Sequence, residues 1–261
     1  MCKSPDEDHD LDLNLDEVRN RSEDNEKTLY GVALVAGHPI TGDAGKTIAA
    51  WRDEVSLITD GKVVVATGSS HSTIATICPS QPEKPNAECL DGIDLNAALE
   101  SIRICGPYEM HFKQVKLISG GNGNILLVTQ TKNNELGKLR RALQKANLRL
   151  NWEPPQEGQP AEAFVSLAHI SSGALESLSP ESVRELNDWI QLHSELDESV
   201  FFQVKEIKAV AYCRRRLDKV MAPDIVLPLG QECKMTGGML REAILSAFAK
   251  DRCEDFHPLQ V

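Results

Sequence analysis

Two stretches, KVVVATGSSHST (residues 62–73) and AFVSLAHIS (residues 163–171), decide the interpretation of this chain. Each contains a run of β-branched or other apolar residues, which is typical of a buried strand, and each ends in a triplet of the form His-x-Ser/Thr. The triplets are His71-Ser72-Thr73 and His169-Ile170-Ser171. Because residues i and i+2 of a strand point to the same face, each triplet predicts an imidazole beside a hydroxyl.

Two imidazoles and two hydroxyls around one concavity would suit phosphoryl chemistry. One histidine can accept a proton from the nucleophile while the other donates a proton to the leaving oxygen. Hydroxyl groups can donate hydrogen bonds to the non-bridging phosphate oxygens, where negative charge develops. A single His-x-Ser/Thr triplet is a weak signal, so the weight rests on finding two of them at the ends of similar strands.

The surroundings of the two triplets resemble each other. Lys62–Thr67 is predicted as a strand that continues towards His71–Ile77, and Val200–Tyr212 is predicted as one strand of the second half. The tripeptide Gln-Val-Lys recurs after both triplets, at Gln114–Lys116 and at Gln203–Lys205. These features predict a duplicated layout with pseudo-repeats at about residues 29–150 and 160–232.

The remaining periodicity predicts a chain of mixed helices and strands. Helices are expected over residues 43–59, 95–105, 136–147, 180–193 and 238–249, and further strands over 29–36, 110–119, 123–130, 163–170 and 218–229. The strands 110–119 and 123–130 are expected to form a hairpin, because Gly-Gly-Asn lies between them. The basic side chains of the helix 136–147, Arg140 among them, are expected to face solvent. This order predicts an α+β fold.

Composition restricts the cellular context and the partners. The formal net charge is −11, which argues against a protein that grips a long duplex nucleic acid. Residues 1–28 are acidic and poor in apolar side chains, so they are predicted to be a disordered tail, and residues 233–261 a helical extension. The seven cysteines lack a C-x-x-C pair and predict free thiols, and no apolar run suggests a membrane span. A cytoplasmic location follows from these features.

The two triplets, 98 residues apart, make residues 29–230 resemble the two-histidine (2H) phosphoesterase superfamily, which includes the RNA 2′,3′-cyclic phosphodiesterases also called 2′-5′ RNA ligases. The resemblance implies a bilobed, duplicated α+β fold, with two antiparallel-rich sheets, helices outside and a central cleft. It implies that His71 and His169 are the acid/base pair, that Thr73 and Ser171 hold the phosphate, and that no metal or other cofactor is needed. Ser69-Ser70 before the first triplet departs from the family pattern, which has apolar residues there.

The expected function is therefore that of a metal-independent phosphodiesterase acting on a cyclic phosphate or phosphodiester of a nucleotide or RNA end. The expected partner is a small nucleotide or an RNA end, with no membrane, and the chain is expected to be a monomer. Two alternatives stay open. One is a non-catalytic protein that binds nucleotides or RNA ends and keeps the fold; the other is a small regulatory domain whose partner binds the acidic tail.

Overall fold

The computed structural model describes residues 28–65, 70–118, 124–170, 174, 177–197, 199–214, 217, 219–232, 234–249 and 254–255. The tail predicted for residues 1–28 lies outside this range except for its last residue. The described part contains five α-helices: α1 (Gly42–Ile58), α2 (Leu95–Ile104), α3 (Glu135–Lys145), α4 (Pro180–Leu192) and α5 (Gly237–Ala249). A 3₁₀ helix covers Ala87–Leu90.

The strands form two curled antiparallel sheets, which confirms the predicted α+β class. They are β1 (Tyr30–Ala36), β2 (Val64–Val65), β3 (Ser72–Gln81), β4 (Tyr108–Ile118), β5 (Asn124–Thr131), β6 (Arg149–Leu150), β7 (Glu162–His169), β8 (Phe201–Val204), β9 (Glu206–Tyr212), β10 (Lys219–Val220), β11 (Ile225–Pro228) and β12 (Glu254–Asp255). The first sheet has the order β12-β10-β9-β1-β3-β6, with β11 also paired to β9. The second sheet has the order β2-β7-β5-β4-β8.

Local chemistry explains where several helices begin. The side chain of Ser179 accepts a hydrogen bond from the backbone N–H of Ser182 at 3.0 Å, and Pro180 occupies the first turn of α4. The carboxylate of Asp94 accepts from the N–H of Ala97 at 2.9 Å and caps α2. Both caps satisfy N–H groups that a helix leaves unpaired, so the sequence alone predicts these two starts.

The two halves of the chain, β1 to β4 and β5 to β9, pair with each other in both sheets. The order β1-α1-β2-β3-α2-β4 is followed by β5-α3-β6-β7-α4-β8-β9. Strands β1 and β3 pair in the first sheet and β5 and β7 pair in the second, but β4 pairs with β5 and β9 pairs with β1. The short strands also cross, because β2 pairs with β7 and β6 pairs with β3. Each half therefore contributes strands to both sheets, and one continuous hydrophobic core includes residues from both.

Two strands predicted as single elements are divided between the sheets. Residues 62–77 were expected to form one continuous strand, but β2 belongs to the second sheet and β3 to the first. Residues 200–212 likewise divide into β8 and β9, which lie in different sheets. Gln114–Lys116 lies within β4 and Gln203–Lys205 begins in β8, and these two strands pair with each other in the second sheet. The pseudo-repeat bounds of 29–150 and 160–232 stay a prediction.

The expectation that Arg140 faces solvent was wrong. Its side chain is only 1% exposed, and Nη1 donates a hydrogen bond to the backbone oxygen of Glu162 at 2.6 Å. Burial lowers the pKa of the guanidinium to about 10, so the group stays charged at neutral pH. A helix with a narrow basic face can bury one long side chain along its apolar side, which periodicity does not reveal.

The cysteines differ from the expectation at one position. Cys78, Cys89 and Cys105 are free thiols, as predicted. Cys213, at the end of β9, is disulfide-bonded, and its partner lies outside the described residues. Scattered spacing therefore failed to indicate this bond, because distant cysteines can meet only through the tertiary fold. The helix predicted in the C-terminal extension is present as α5, which packs against α2 and β9.

Candidate active site

The first triplet lies at the start of β3. His71 immediately precedes the strand, Ser72 pairs with Ala36 at the end of β1, and Thr73 pairs with Val35. Ser72 is fully buried, whereas His71 and Thr73 are half-buried. This alternation matches the expectation that the imidazole and the threonine hydroxyl share a face.

The second triplet begins at the last residue of β7. His169 is 7% exposed and its Nδ1 lies 2.9 Å from Oδ1 of Asn124, the first residue of β5. A donor at Nδ1 would direct proton exchange with a substrate through Nε2. Ser171, the expected second phosphate ligand, lies outside the described residues.

The two histidines do not occupy corresponding positions in the two halves. His71 is next to the end of β1 that leads into α1, but His169 is next to the start of β5, the end remote from α3. The sequence had suggested equivalent places because both triplets follow apolar runs. In the structure the first apolar run is β2, which pairs with the second sheet and not with β1.

His71 and His169 lie at opposite ends of their strands, since His71 directly precedes β3 and His169 is the last residue of β7. Strand β3 packs near β7 where the two sheets meet. Val64 pairs with His169, Val65 pairs with Ala168, and His71 follows Val65 by six residues. Six residues of extended chain span at most about 22 Å, which limits how far His71 can lie from the end of β7. The hypothesis that both imidazoles contact one phosphate stays a prediction.

Helix α1 connects the first half of the chain to the strand that carries His169. Arg52 on this helix donates a hydrogen bond from Nη2 to the backbone oxygen of Ser166 at 2.9 Å. Burial lowers the pKa of the Arg52 guanidinium to about 10. The bond fixes the helix to β7 three residues before His169 and so helps to hold that end of the strand.

The sequence did not single out three further residues around the triplets. His38, in the turn after β1, places its ring edge-on to His71 with 5.6 Å between ring centroids. Nδ1 of His38 lies 2.7 Å from a carboxylate oxygen of Asp224, and Asn124 holds His169. No spacing rule links positions 38, 124 and 224, so only the fold could reveal these contacts.

The described residues contain no group of three or more His, Cys, Asp or Glu side chains that could hold a metal ion. None of the helices in the same part of the chain is both long and apolar enough to span a membrane.

Comparison with known proteins does not show which family the chain belongs to. No family model matches the sequence, and no curated protein matches it. The solved structures that it resembles include Usb1 of Kluyveromyces marxianus, with a TM-score of 0.42, 14% identity and coverage of 78% of this chain and 99% of the other. They also include the same protein with uridine monophosphate, with a TM-score of 0.41, 13% identity and the same coverage. Likeness at this level does not establish a shared activity.

Proposed function

We propose that this chain is a phosphodiesterase that acts on a phosphodiester or cyclic phosphate of a nucleotide or RNA end. His71 and His169 would exchange protons with the attacking and leaving oxygens, and Thr73 and Ser171 would bind the phosphate. The observation that carries the proposal is that β3, which begins directly after His71, and β7, which ends at His169, pack against each other where the two sheets meet. Proton transfer between oxygens is work that histidines perform near neutral pH.

A substrate panel tests this proposal. The purified chain would be incubated with 2′,3′-cyclic nucleotides, with 2′-5′ and 3′-5′ oligonucleotides and with cyclic dinucleotides, and the products would be separated by chromatography. Turnover of any one of them that is lost in the double variant His71→Ala/His169→Ala supports the proposal. Turnover that persists in the double variant places the reaction elsewhere in the molecule.

A second candidate function is non-catalytic binding of a nucleotide or RNA end. The observation that favours it is the placement of His71 and His169 at opposite ends of corresponding strands, because a duplicated catalytic pair is expected at matching positions. Calorimetric binding of a non-hydrolysable nucleotide, together with no turnover of the whole panel, would select this candidate.

Metal removal is expected to leave the rate unchanged. The proposed proton transfers need only imidazoles and hydroxyls, so dialysis against EDTA should alter kcat by less than about twofold, well below the effect of losing a general acid or base. The measurement is the initial rate before and after dialysis, with Mg²⁺ or Mn²⁺ restored in a parallel sample. Loss of activity that a divalent ion restores would contradict the mechanism.

Replacement of Thr73 by alanine is expected to lower kcat by about 10-fold to 10³-fold, because one hydrogen bond to the phosphate would be lost in the transition state. Thr73→Ser keeps the hydroxyl and should retain most of the rate, which makes it the matched control. Equal rates for the alanine and wild-type proteins would remove Thr73 from the site.

A further inference from the structure

The turn after β1 holds a buried imidazole against His71. The ring of His38 is fully buried and meets the ring of His71 at an interplanar angle of 78°, with 5.6 Å between centroids. The backbone N–H of Ile40 donates to the backbone oxygen of Ser70 at 2.8 Å. This bond fastens the turn to the residue just before His71, so the two rings are held together by their backbones as well as by packing.

Two charged side chains from other elements hold His38. Nδ1 of His38 lies 2.7 Å from Oδ2 of Asp224, and this carboxylate is also largely buried. Nζ of Lys208, on β9, donates to the backbone oxygen of His38 at 2.7 Å and lies 3.8 Å from Oδ2 of Asp224. We call His38, Asp224 and Lys208 the His38 cluster.

The arrangement fixes the state of the His38 ring. A carboxylate next to Nδ1 requires a proton on that nitrogen. In the neutral ring, Nε2 then carries no proton. The positive charge of Lys208 compensates the negative charge of the Asp224 carboxylate. Glu206, whose side chain is the more exposed of the two, lies 3.6 Å from Nζ of Lys208. The groups that face His38 among the described residues are therefore Asp224, Lys208 with Glu206 behind it, and His71.

A structural role alone does not require this combination. A buried carboxylate is costly unless its oxygens are paired, and Oδ1 of Asp224 has no hydrogen-bond partner in the described part of the chain. Apolar side chains could fill the same space at less cost. Charges in a poorly solvated region also act more strongly on neighbouring groups than charges in water do.

We propose that the His38 cluster is a positioning device for His71. His38 fixes the orientation of the His71 ring, and the balance of Asp224 against Lys208 sets the pH at which His71 takes up its proton. The inference deepens the proposed function, since it assumes that His71 is one of the two proton-transferring groups. His38 is a positioning residue here and does not touch the substrate.

The test combines a titration that needs no substrate with steady-state kinetics. The His71 ring would be followed by NMR in protein labelled with ¹⁵N at histidine, with His71→Gln used to assign its signal. Asp224→Asn removes a negative charge near His71, so protonation of the ring becomes less favourable and the midpoint should fall by about 0.5 to 1 pH unit. Lys208→Gln removes a positive charge, so the midpoint should rise by a similar amount.

The double variant Asp224→Asn/Lys208→Gln is the matched control, because it removes both charges and should return the midpoint close to that of the wild type. His111→Gln is a second control, since His111 is also a buried histidine beside a carboxylate, Glu109 at 3.1 Å, but on β4. It should leave the His71 titration unchanged. Circular dichroism confirms folding, and Lys208→Gln, at a side chain 20% exposed, provides a mild variant if the others unfold.

Kinetics on the best substrate of the panel complete the test. His38→Gln and Asp224→Asn should lower kcat by about 10-fold to 100-fold, by analogy with the loss of partners that orient metal-binding histidines. KM should change by less than about twofold, because His38 and Asp224 are buried and would act on the substrate only through His71. The pH–rate limb that reports His71 should move in the direction of the NMR midpoint.

Opposite shifts from the two charge variants, with the fall in kcat, support the proposal. An unmoved His71 midpoint in both variants overturns it, and so does a moved midpoint with unchanged kcat in an active enzyme. If no substrate turns over, the proposed function fails, while the NMR titration still decides whether the cluster controls His71.

Discussion

Replacement of His71 or His169 by alanine is expected to lower kcat/KM by about 10²-fold to 10⁴-fold, the usual contribution of a general acid or base. Each variant removes one of the two groups that would move protons, while the backbone of β3 or β7 stays intact. Initial rates on the best substrate of the panel measure the effect. Because one imidazole must be neutral and the other protonated, the wild-type rate should be bell-shaped in pH, with both limbs in the range where histidines titrate.

His111→Gln is again the control, because His111 is as buried as His169 but lies on β4, outside both triplets. Its activity should equal that of the wild type. The double variant His71→Ala/His169→Ala should have a kcat/KM only a little below that of either single variant, since two groups that act in one step do not contribute additively. Wild-type turnover in either alanine variant would exclude that histidine from the reaction.

Replacement of Phe112 by alanine is expected to destabilise the protein by about 3–5 kcal/mol, the usual cost of removing a buried phenyl ring. Phe112 is 1% exposed on β4, which pairs with β5 and β8 in the second sheet. Its ring packs against Trp51 of α1 with 5.6 Å between centroids. The substitution leaves a cavity where the two halves interlock, so both sheets should lose stability together.

Urea unfolding followed by circular dichroism measures the change in the free energy of unfolding. In thermal unfolding, a fall in Tm of about 10 °C is expected for a chain of this size. Phe201→Ala is the matched control, because Phe201 lies on the neighbouring strand β8 but is 45% exposed. Its cost should stay below about 1 kcal/mol. Similar losses for the two variants would contradict the packing described for Phe112.

The sequence by itself determined most of the local structure. Apolar runs predicted β1 and β7, helical periodicity predicted α1 and α3, and Ser179 with Pro180 predicted the start of α4. These signals are read from residues within a few positions of one another, because a helix or strand repeats its side-chain directions every few residues. The two triplets were also visible in the sequence. The strand period predicted that His71 and Thr73 share a face, and both are half-buried.

Only the tertiary structure decided which strands share a sheet. Residues 62–77 and 200–212 each read as one strand, yet each divides between two sheets, because sheet membership depends on hydrogen bonds to distant strands and not on the residues themselves. The same reason explains why the sequence could not reveal His38 beside His71 or Asp224 beside His38. Residues that are 186 positions apart meet at 2.7 Å only because β1, β3 and β9 pair and bring the adjoining turns together.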